Sequence, residues 1–525
     1  MEVTQLRIPR YVKGTAAIAA AALLISCSSG SAPEDGEQPT SIKVAIPAEP
    51  ASMDPHVTGN YVVGEMGRPV FETLLTTDSA GEVQPMLAES YEVSEDGKQI
   101  TFSIREGLQF HDGSELDVDD VVASMERWTR LTVPGRDHFG GSTWEASDDS
   151  TVVVTLERAS FQHLLQLSSR TLYAPAILPS EVLEAAGDEP VADYIGTGPY
   201  KLREWLPNQR LVLEKWDEYA ARSEPSDGNA GDRTGILDEI DFEFVSDAAT
   251  MTQGVLTGEY DVLTETPFDG LPQIKADDTV FTGSYMTSPQ HIVFSTQRTG
   301  PFNDVELRQA VNLGVDRDDM MYAAVGEDGE YELTHHIMTK SQENVWNTEV
   351  GKADFNQADL EGAKAMIEAS GYNGEEIILL ATKDYNDTFN ASVVFNDQLR
   401  AMGFNVTMET YEWATFSDLW NNGQDKWDVA LFPNSPQTDP STSSGFQSER
   451  GGWVKEVDPI LDRFNSAKDI EEAAGEYYDE LQQWREDQRY VIKAGDTLSL
   501  YTASNDLDEL PINDRTVSWW QVSFK

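Results

Sequence analysis

From residue 41 onward the chain switches repeatedly between two hydrophobic periods. Ile42, Val44 and Ile46 alternate with polar or small residues, which predicts a strand beginning at Ser41. Residues 151–156 are short and β-branched. Residues 200–205 and 210–215 form two strand candidates around Pro207-Asn208, a predicted hairpin. Helical spacing lies between these segments. Asp117 precedes Val118, Val121, Val122, Met125 and Trp128, one apolar face behind a capping residue. Asn303 or Asp304 can cap a helix through Leu307, Ala310, Val311 and Val315, and residues 357–369 read as a helix closed by Gly371. The order then runs strand 377–381, helix 387–402, Gly403, strand 404–408, helix 414–422 and strand 427–432. Strands and helices in alternation predict an α/β fold with a mainly parallel sheet and crossover helices. No internal repeat of fixed period interrupts it.

The first 40 residues follow another pattern. Arg7, Arg10 and Lys13 precede an uncharged, Ala-rich run over residues 14–26 that ends Leu24-Ile25-Ser26-Cys27. A basic start, a short apolar run and small residues at a cut site describe an export signal, residues 1–26. About a dozen apolar residues cannot span ~30 Å of hydrocarbon as a helix. Residues 27–40 are small, polar and Pro/Gly-containing, the composition of a flexible tether. Cys27 is the only cysteine in the 525 residues, so no disulfide is available to the folded part, and burial must stabilise it.

Charge narrows the function. There are 92 acidic residues against 37 basic ones, a net charge of −55. The acids are dispersed along the chain, and such a surface repels nucleic acid phosphates and anionic headgroups. Because carboxylates are so common, a pair of them is weak support for a catalytic dyad. The chain has no phosphate-cradling Gly-Lys-Ser/Thr loop, no Gly-x-Ser-x-Gly elbow and no His-Glu-x-x-His helix. The one histidine cluster, His335-His336, is read as two strand neighbours pointing to opposite faces. That is a poor chelate, and a solvated or capping role is expected. No metal, cofactor or enzymatic activity is expected.

Several blocks together resemble the family 5 extracellular solute-binding proteins, the oligopeptide-, dipeptide- and nickel-type receptors of ABC transporters. They are Val70-Phe-Glu-Thr-Leu-Leu75, Pro85-Met-Leu-Ala-Glu-Ser-Tyr91, Asp96-Gly97, Ile100-Thr-Phe-Ser-Ile-Arg105, Phe110-His-Asp-Gly113 and Asp119-Asp-Val121. Gly196-Thr-Gly-Pro-Tyr200, Gly258-Glu-Tyr-Asp261, Phe302-Asn-Asp-Val-Glu-Leu-Arg-Gln-Ala310 and Leu399-Arg-Ala-Met-Gly403 follow in consistent order. Most of these blocks read as scaffold: Gly107, Gly113 and Gly198 as turn residues, Asp112 and Asp119 as turn and helix-start residues, Arg105 and Arg308 as structural ion pairs. The tetrad ending at Cys27 resembles the lipobox of bacterial lipoproteins, which implies lipidation of Cys27 and a protein held at the outer face of the cell membrane.

The resemblance implies a two-lobed, periplasmic-binding-protein-like fold of the large three-subdomain type. Residues 41–75, 195–288 and 500–525 would form the first lobe, 76–194 an inserted subdomain, and 289–499 the second lobe. It implies a monomeric receptor that captures an organic solute, peptide-like before oligosaccharide, by hinge closure and delivers it to an ABC permease. The alternative of another class is an exported hydrolase on the same fold. For the ligand, the resemblance points to Trp413 at a helix start, with Trp420 following. The loop after strand 427–432 would carry an Asp for a ligand ammonium in peptide receptors. Here it reads Phe432-Pro-Asn-Ser-Pro-Gln-Thr-Asp-Pro440, leaving Asn434, Ser435 and Gln437 as neutral groups unless Asp439 takes the acidic role. Asn60 and Tyr61, in the loop after Asp54-Pro55, would face the cleft from the first lobe.

Overall fold

The computed structural model describes residues 39–58, 61–169, 173–327, 329–434, 437, 439–443, 446, 457–513 and 516–525. Cys27, Asn60 and Ser435 lie outside them. The α/β reading holds, but the main sheet is mixed rather than mainly parallel, because the two lobe crossings and the hairpin at its edge pair antiparallel. One eleven-stranded sheet runs through the protein in the order Asn405–Tyr411, Glu376–Thr382, Val429–Pro433, Val280–Phe294, Val491–Ser504, Val262–Leu263, Ser41–Ile46, Glu239–Phe244, Arg210–Lys215 and Tyr200–Leu206, with Tyr331–Glu332 attached at the side. Its first three strands are parallel to one another, and Ser41–Ile46 pairs in parallel with Glu239–Phe244. The hairpin Tyr200–Leu206/Arg210–Lys215 turns at Asn208, whose φ of 59° is one that Asn tolerates better than most residues.

Two long antiparallel neighbours, Val280–Phe294 and Val491–Ser504, form the middle of this sheet. Val280 pairs with Ser504 at the first-lobe end and Val293 with Val491 at the second-lobe end. Both crossings between the lobes are therefore strands of one ribbon. The ladder is irregular at Ser284/Met286 and again at Gln290/His291.

Buried apolar side chains gather on either side of the ribbon. One cluster joins Ile42, Val44, Leu213, Phe242, Trp519 and Trp520, and two further clusters fill the second lobe. A four-stranded antiparallel sheet with helix Val118–Leu131 encloses Phe102, Trp128, Phe139 and Trp144 in a separate core. Leu74 and Leu75 belong to this core, whereas Ala176, Leu178, Leu183 and Val191 pack into the first-lobe cluster. Helix Val118–Leu131 starts as its sequence implies. Asp117 accepts from the Asp119 and Asp120 N–H groups, and Asp120 accepts in return from the Asp117 N–H, a reciprocal cap.

Three scaffold readings change. Among the described residues Arg105 and Arg308 form no ion pair. Arg105 donates to the Ala220 carbonyl, and Arg308 to the Gln488 and Phe302 carbonyls while lying over the Tyr490 ring. A guanidinium satisfies loop carbonyls as readily as it does a carboxylate, and a sequence does not show which. Gly198 is required by close approach rather than by a turn conformation, since a Cβ there would lie 2.2 Å from the Pro69 carbonyl oxygen. His335 and His336 lie after strand Tyr331–Glu332, not on it, and their rings meet edge to face at 5.2 Å. His336 is fully buried and bonded to Glu343, and His335 to the Thr348 carbonyl, so the pair is packed rather than solvated.

Candidate functional site

Where the lobes face each other, their walls meet around a cavity of about 280 Å³. Asn229 and Asn513 line it from the first lobe, Ser79, Gly81, Leu165 and Ser168 from the inserted subdomain, and Ser341, Gln342, Asn344 and Trp346 from the second lobe. Asp78 is the one ionisable group among the described lining residues, and its oxygens already accept from the Ala80 and Glu82 N–H groups and the Gln84 amide. Apart from the Asp78 carboxylate, the walls present neutral amides, hydroxyls and an indole.

Direct contacts across the opening hold the lobes together. Phe161 of the inserted subdomain is 3% exposed, because it enters the second-lobe core edge-on to Phe464 at 5.5 Å and near Trp346 at 6.3 Å. Its N–H donates to the Ala467 carbonyl at 3.1 Å. Gln162 donates to Asp439 and to Ser441 at 3.2 and 2.8 Å, and the Asn344 amide donates to the Ala80 carbonyl at 3.0 Å. This is a closed arrangement of the two lobes.

Gln342 borders both this cavity and a second one of about 10 Å³ beside Asn434 and Gln437. The Gln342 amide donates to the Gln437 carbonyl at 2.7 Å. Asn434 donates to His291 Nδ1 at 2.9 Å, and its own N–H bonds the Pro289 carbonyl of the crossover strand. Burial, with the Lys493 and Arg485 charges next, holds the His291 pKa well below 6.5, so the ring is neutral and can accept that bond. The polar loop is thus tied to the ribbon.

Trp413 opens helix Trp413–Asn422, its N–H held by Asp384 at 2.7 Å, and it is half-buried. It stands near the outer end of an aromatic column. Tyr385, itself 42% exposed, meets it edge-on at 4.8 Å, and Phe416, Phe432, Trp420 and Trp427 continue inward. Trp420 is corrected by this geometry. It is stacked between Phe432 at 4.1 Å and Trp427 at 5.6 Å and is 5% exposed, leaving no free face for a ligand. Asp439 also differs from its expected acidic role. It is fully buried and caps the turn Pro440–Thr442, its carboxylate accepting from the Ser441 N–H and hydroxyl and from Gln162, while burial pushes its pKa up. Tyr61 begins the short helix Tyr61–Gly67.

Phe161, Gln162, Gln342, Asn344 and Trp346 were not among the expected site residues. Their partners are remote in the chain, and no local spacing marks an aromatic that is buried only by another lobe. Among the described residues no group of three or more His, Cys, Asp or Glu side chains could hold a metal, and no helix is long and apolar enough to cross a membrane.

Comparison with known proteins places this architecture. A probable peptide ABC transporter periplasmic-binding protein of Sinorhizobium fredii is 30% identical over 412 residues, covering 74% of this chain and 75% of that protein. The oligopeptide-binding protein AppA of Bacillus subtilis is 25% identical over 85% of this chain and 88% of its own length. In three dimensions the ABC transporter substrate-binding protein CtaP of Listeria monocytogenes superposes with a TM-score of 0.77 at 18% identity, over 93% of this chain and 100% of that one, which speaks to the fold alone. The family model described as bacterial extracellular solute-binding proteins, family 5 middle, matches residues 82–453. With two lobes shut over a polar chamber and that match spanning most of its length, the chain belongs to the family 5 bacterial extracellular solute-binding proteins.

Proposed function

We propose that this protein is the lipid-anchored receptor of an ABC importer, capturing a peptide-like solute between its lobes and releasing it unaltered to the permease. The observation that carries the reading is the chamber of about 280 Å³ walled by both lobes and the inserted subdomain. A ligand held by both walls binds the closed form better than the open one and so shifts the population toward closure. The largely neutral lining supports a ligand recognised through amide and hydroxyl groups, and the two relatives named above carry the names of a peptide ABC transporter binding protein and an oligopeptide-binding protein. The same lining favours an oligosaccharide as the second reading, because sugar hydroxyls pair equally well with amides.

A thermal-shift screen of peptides and oligosaccharides tests both. A specific ligand at a hundredfold excess over its Kd stabilises by ~2.7 kcal/mol. A peptide hit recovered chemically intact supports the receptor reading, an oligosaccharide hit moves it to the second, and steady consumption of the ligand would establish a hydrolase instead.

Trp413 does not line the chamber itself, and it is proposed to stack on a part of the ligand that reaches the half-exposed end of its column. Trp413→Ala should weaken binding by about 1.4 kcal/mol, roughly tenfold in Kd by calorimetry, with little change in Tm. An unchanged Kd assigns the ring to packing. For the anchor, Cys27→Ser should move the protein from the membrane fraction into the medium, and retention at the membrane would refute lipidation at that residue.

A further inference from the structure

On the second lobe, away from the ligand chamber, an unusual concentration of positive charge is buried in this very acidic chain. Arg317 opens helix Arg317–Val325, Arg485 and Arg489 lie on and just after helix Tyr478–Gln488, and Lys493 is on the crossover strand Val491–Ser504. All four line one small cavity of about 10 Å³. Arg317 is 2% exposed and Arg485 3%.

The bonds of these groups can be followed one by one. Lys493 spends its ammonium on Thr334, the Met338 carbonyl and Asp496. Glu486 gives one carboxylate oxygen to Arg485 and the other to Arg489. Arg317 uses Nε on the Lys493 carbonyl at 2.9 Å and Nη2 on Asn312 at 2.6 Å. Arg485 uses Nη2 on the His335 carbonyl at 2.6 Å. Arg317 Nη1, Arg485 Nε and Arg485 Nη1 are buried without an acceptor.

Two deficits therefore coincide at one point. Three guanidinium nitrogens lack acceptors, and three guanidinium charges share one buried carboxylate, with half-buried Asp316 and exposed Asp354 as the other acids nearby. A buried donor without a partner pays its whole desolvation cost, and an excess buried charge pays more. Burial and the neighbouring Arg489 and Arg485 charges push the Arg317 pKa down to about 9, the direction expected where a counter-charge is missing. A space of about 10 Å³ takes roughly one water-sized sphere, which is too small for sulfate, phosphate or a carboxylate. A water there would accept hydrogen bonds but bring no charge.

We propose that this cavity is a halide site that takes one chloride ion, held by Arg317 and Arg485 within the field of Arg489 and Lys493. The ion links helix Arg317–Val325, helix Tyr478–Gln488 and the second-lobe root of the crossover ribbon. It makes the stability of the protein depend on chloride itself, beyond the general screening that any salt gives so acidic a surface.

Crystals of the unsubstituted protein grown with sodium bromide should show an anomalous bromine peak within hydrogen-bonding reach of Arg317 Nη1 and Arg485. A peak-free cavity, or bromide only on the outer surface, overturns the proposal. In solution, Tm should be ~2 °C or more higher in sodium chloride than in sodium gluconate at matched ionic strength. Arg485→Met should abolish that difference, and a difference of the same size in the variant overturns the proposal. Should Arg485→Met not fold, the bromide experiment decides alone.

Discussion

Phe161→Ala is expected to weaken ligand binding roughly a hundredfold while leaving the ligand-lining residues untouched. Phe161 reaches from the inserted subdomain into the second-lobe core, where Phe464 and Trp346 surround it. Its burial therefore exists only while the lobes are shut. Truncating a buried Phe costs ~3–5 kcal/mol in a core, and at the lower end that penalty falls on the closed state alone. A ligand that needs closure must then make up ~3 kcal/mol, about two decades in Kd. Calorimetry with the solute found by thermal shift measures the loss, and small-angle scattering of the unliganded protein should show a larger radius for the variant. Phe161→Leu should recover most of the affinity. An unchanged Kd for Phe161→Ala would mean that this contact does not govern closure.

Asp54→Ala should destabilise the fold by ~3–5 kcal/mol, the usual cost of leaving a buried charge uncompensated. Asp54 is fully buried and takes two hydrogen bonds from Arg127 at 3.2 and 2.8 Å, and others from the His56 and Val191 N–H groups. Arg127 is 3% exposed and also holds the Gly187 and Glu189 carbonyls, so the pair joins the first-lobe segment before Tyr61 to the inserted subdomain. Burial works to raise the Asp54 pKa, but the Arg127 bond, the His56 charge, the Val191 N–H and the Arg127 charge together hold it below 3.8. A lowered carboxyl pKa stabilises the fold above the unfolded value and loses that effect as pH falls through the folded one. The gap between wild type and variant in urea denaturation should therefore be full at neutral pH and close only below about pH 3.8. A loss under 1 kcal/mol at pH 7 would show that the site relaxes or admits water.

What the chain discloses without coordinates depends on how local each signal is. Helix Val118–Leu131 was legible because its cap and apolar stripe sit within a few residues of one another. The alternation of strands and helices over residues 376–433 was legible for the same reason, to within three residues at the ends. Trp413 could be found through the resemblance, which carried its place at a helix start. Trp420 shares the same helix, yet only the coordinates reveal that Phe432 and Trp427 cover both its faces. Phe161 was invisible, since a lone aromatic in a polar stretch says nothing about a core contributed by another lobe. The partners of two scaffold arginines are likewise not local. Arg105 and Arg308 sit in blocks that read as scaffold with ion pairs, but each donates to a backbone carbonyl contributed by another segment.

The two long central strands lie side by side and are bonded along their whole span, apart from the breaks near Ser284 and Gln290. Flexing one strand flexes the other, so the molecule has a spine like that of a book rather than two separate tethers. Irregular rungs are the softest places on such a spine. A pair of distance labels placed either side of those rungs would report how far the spine bends on opening.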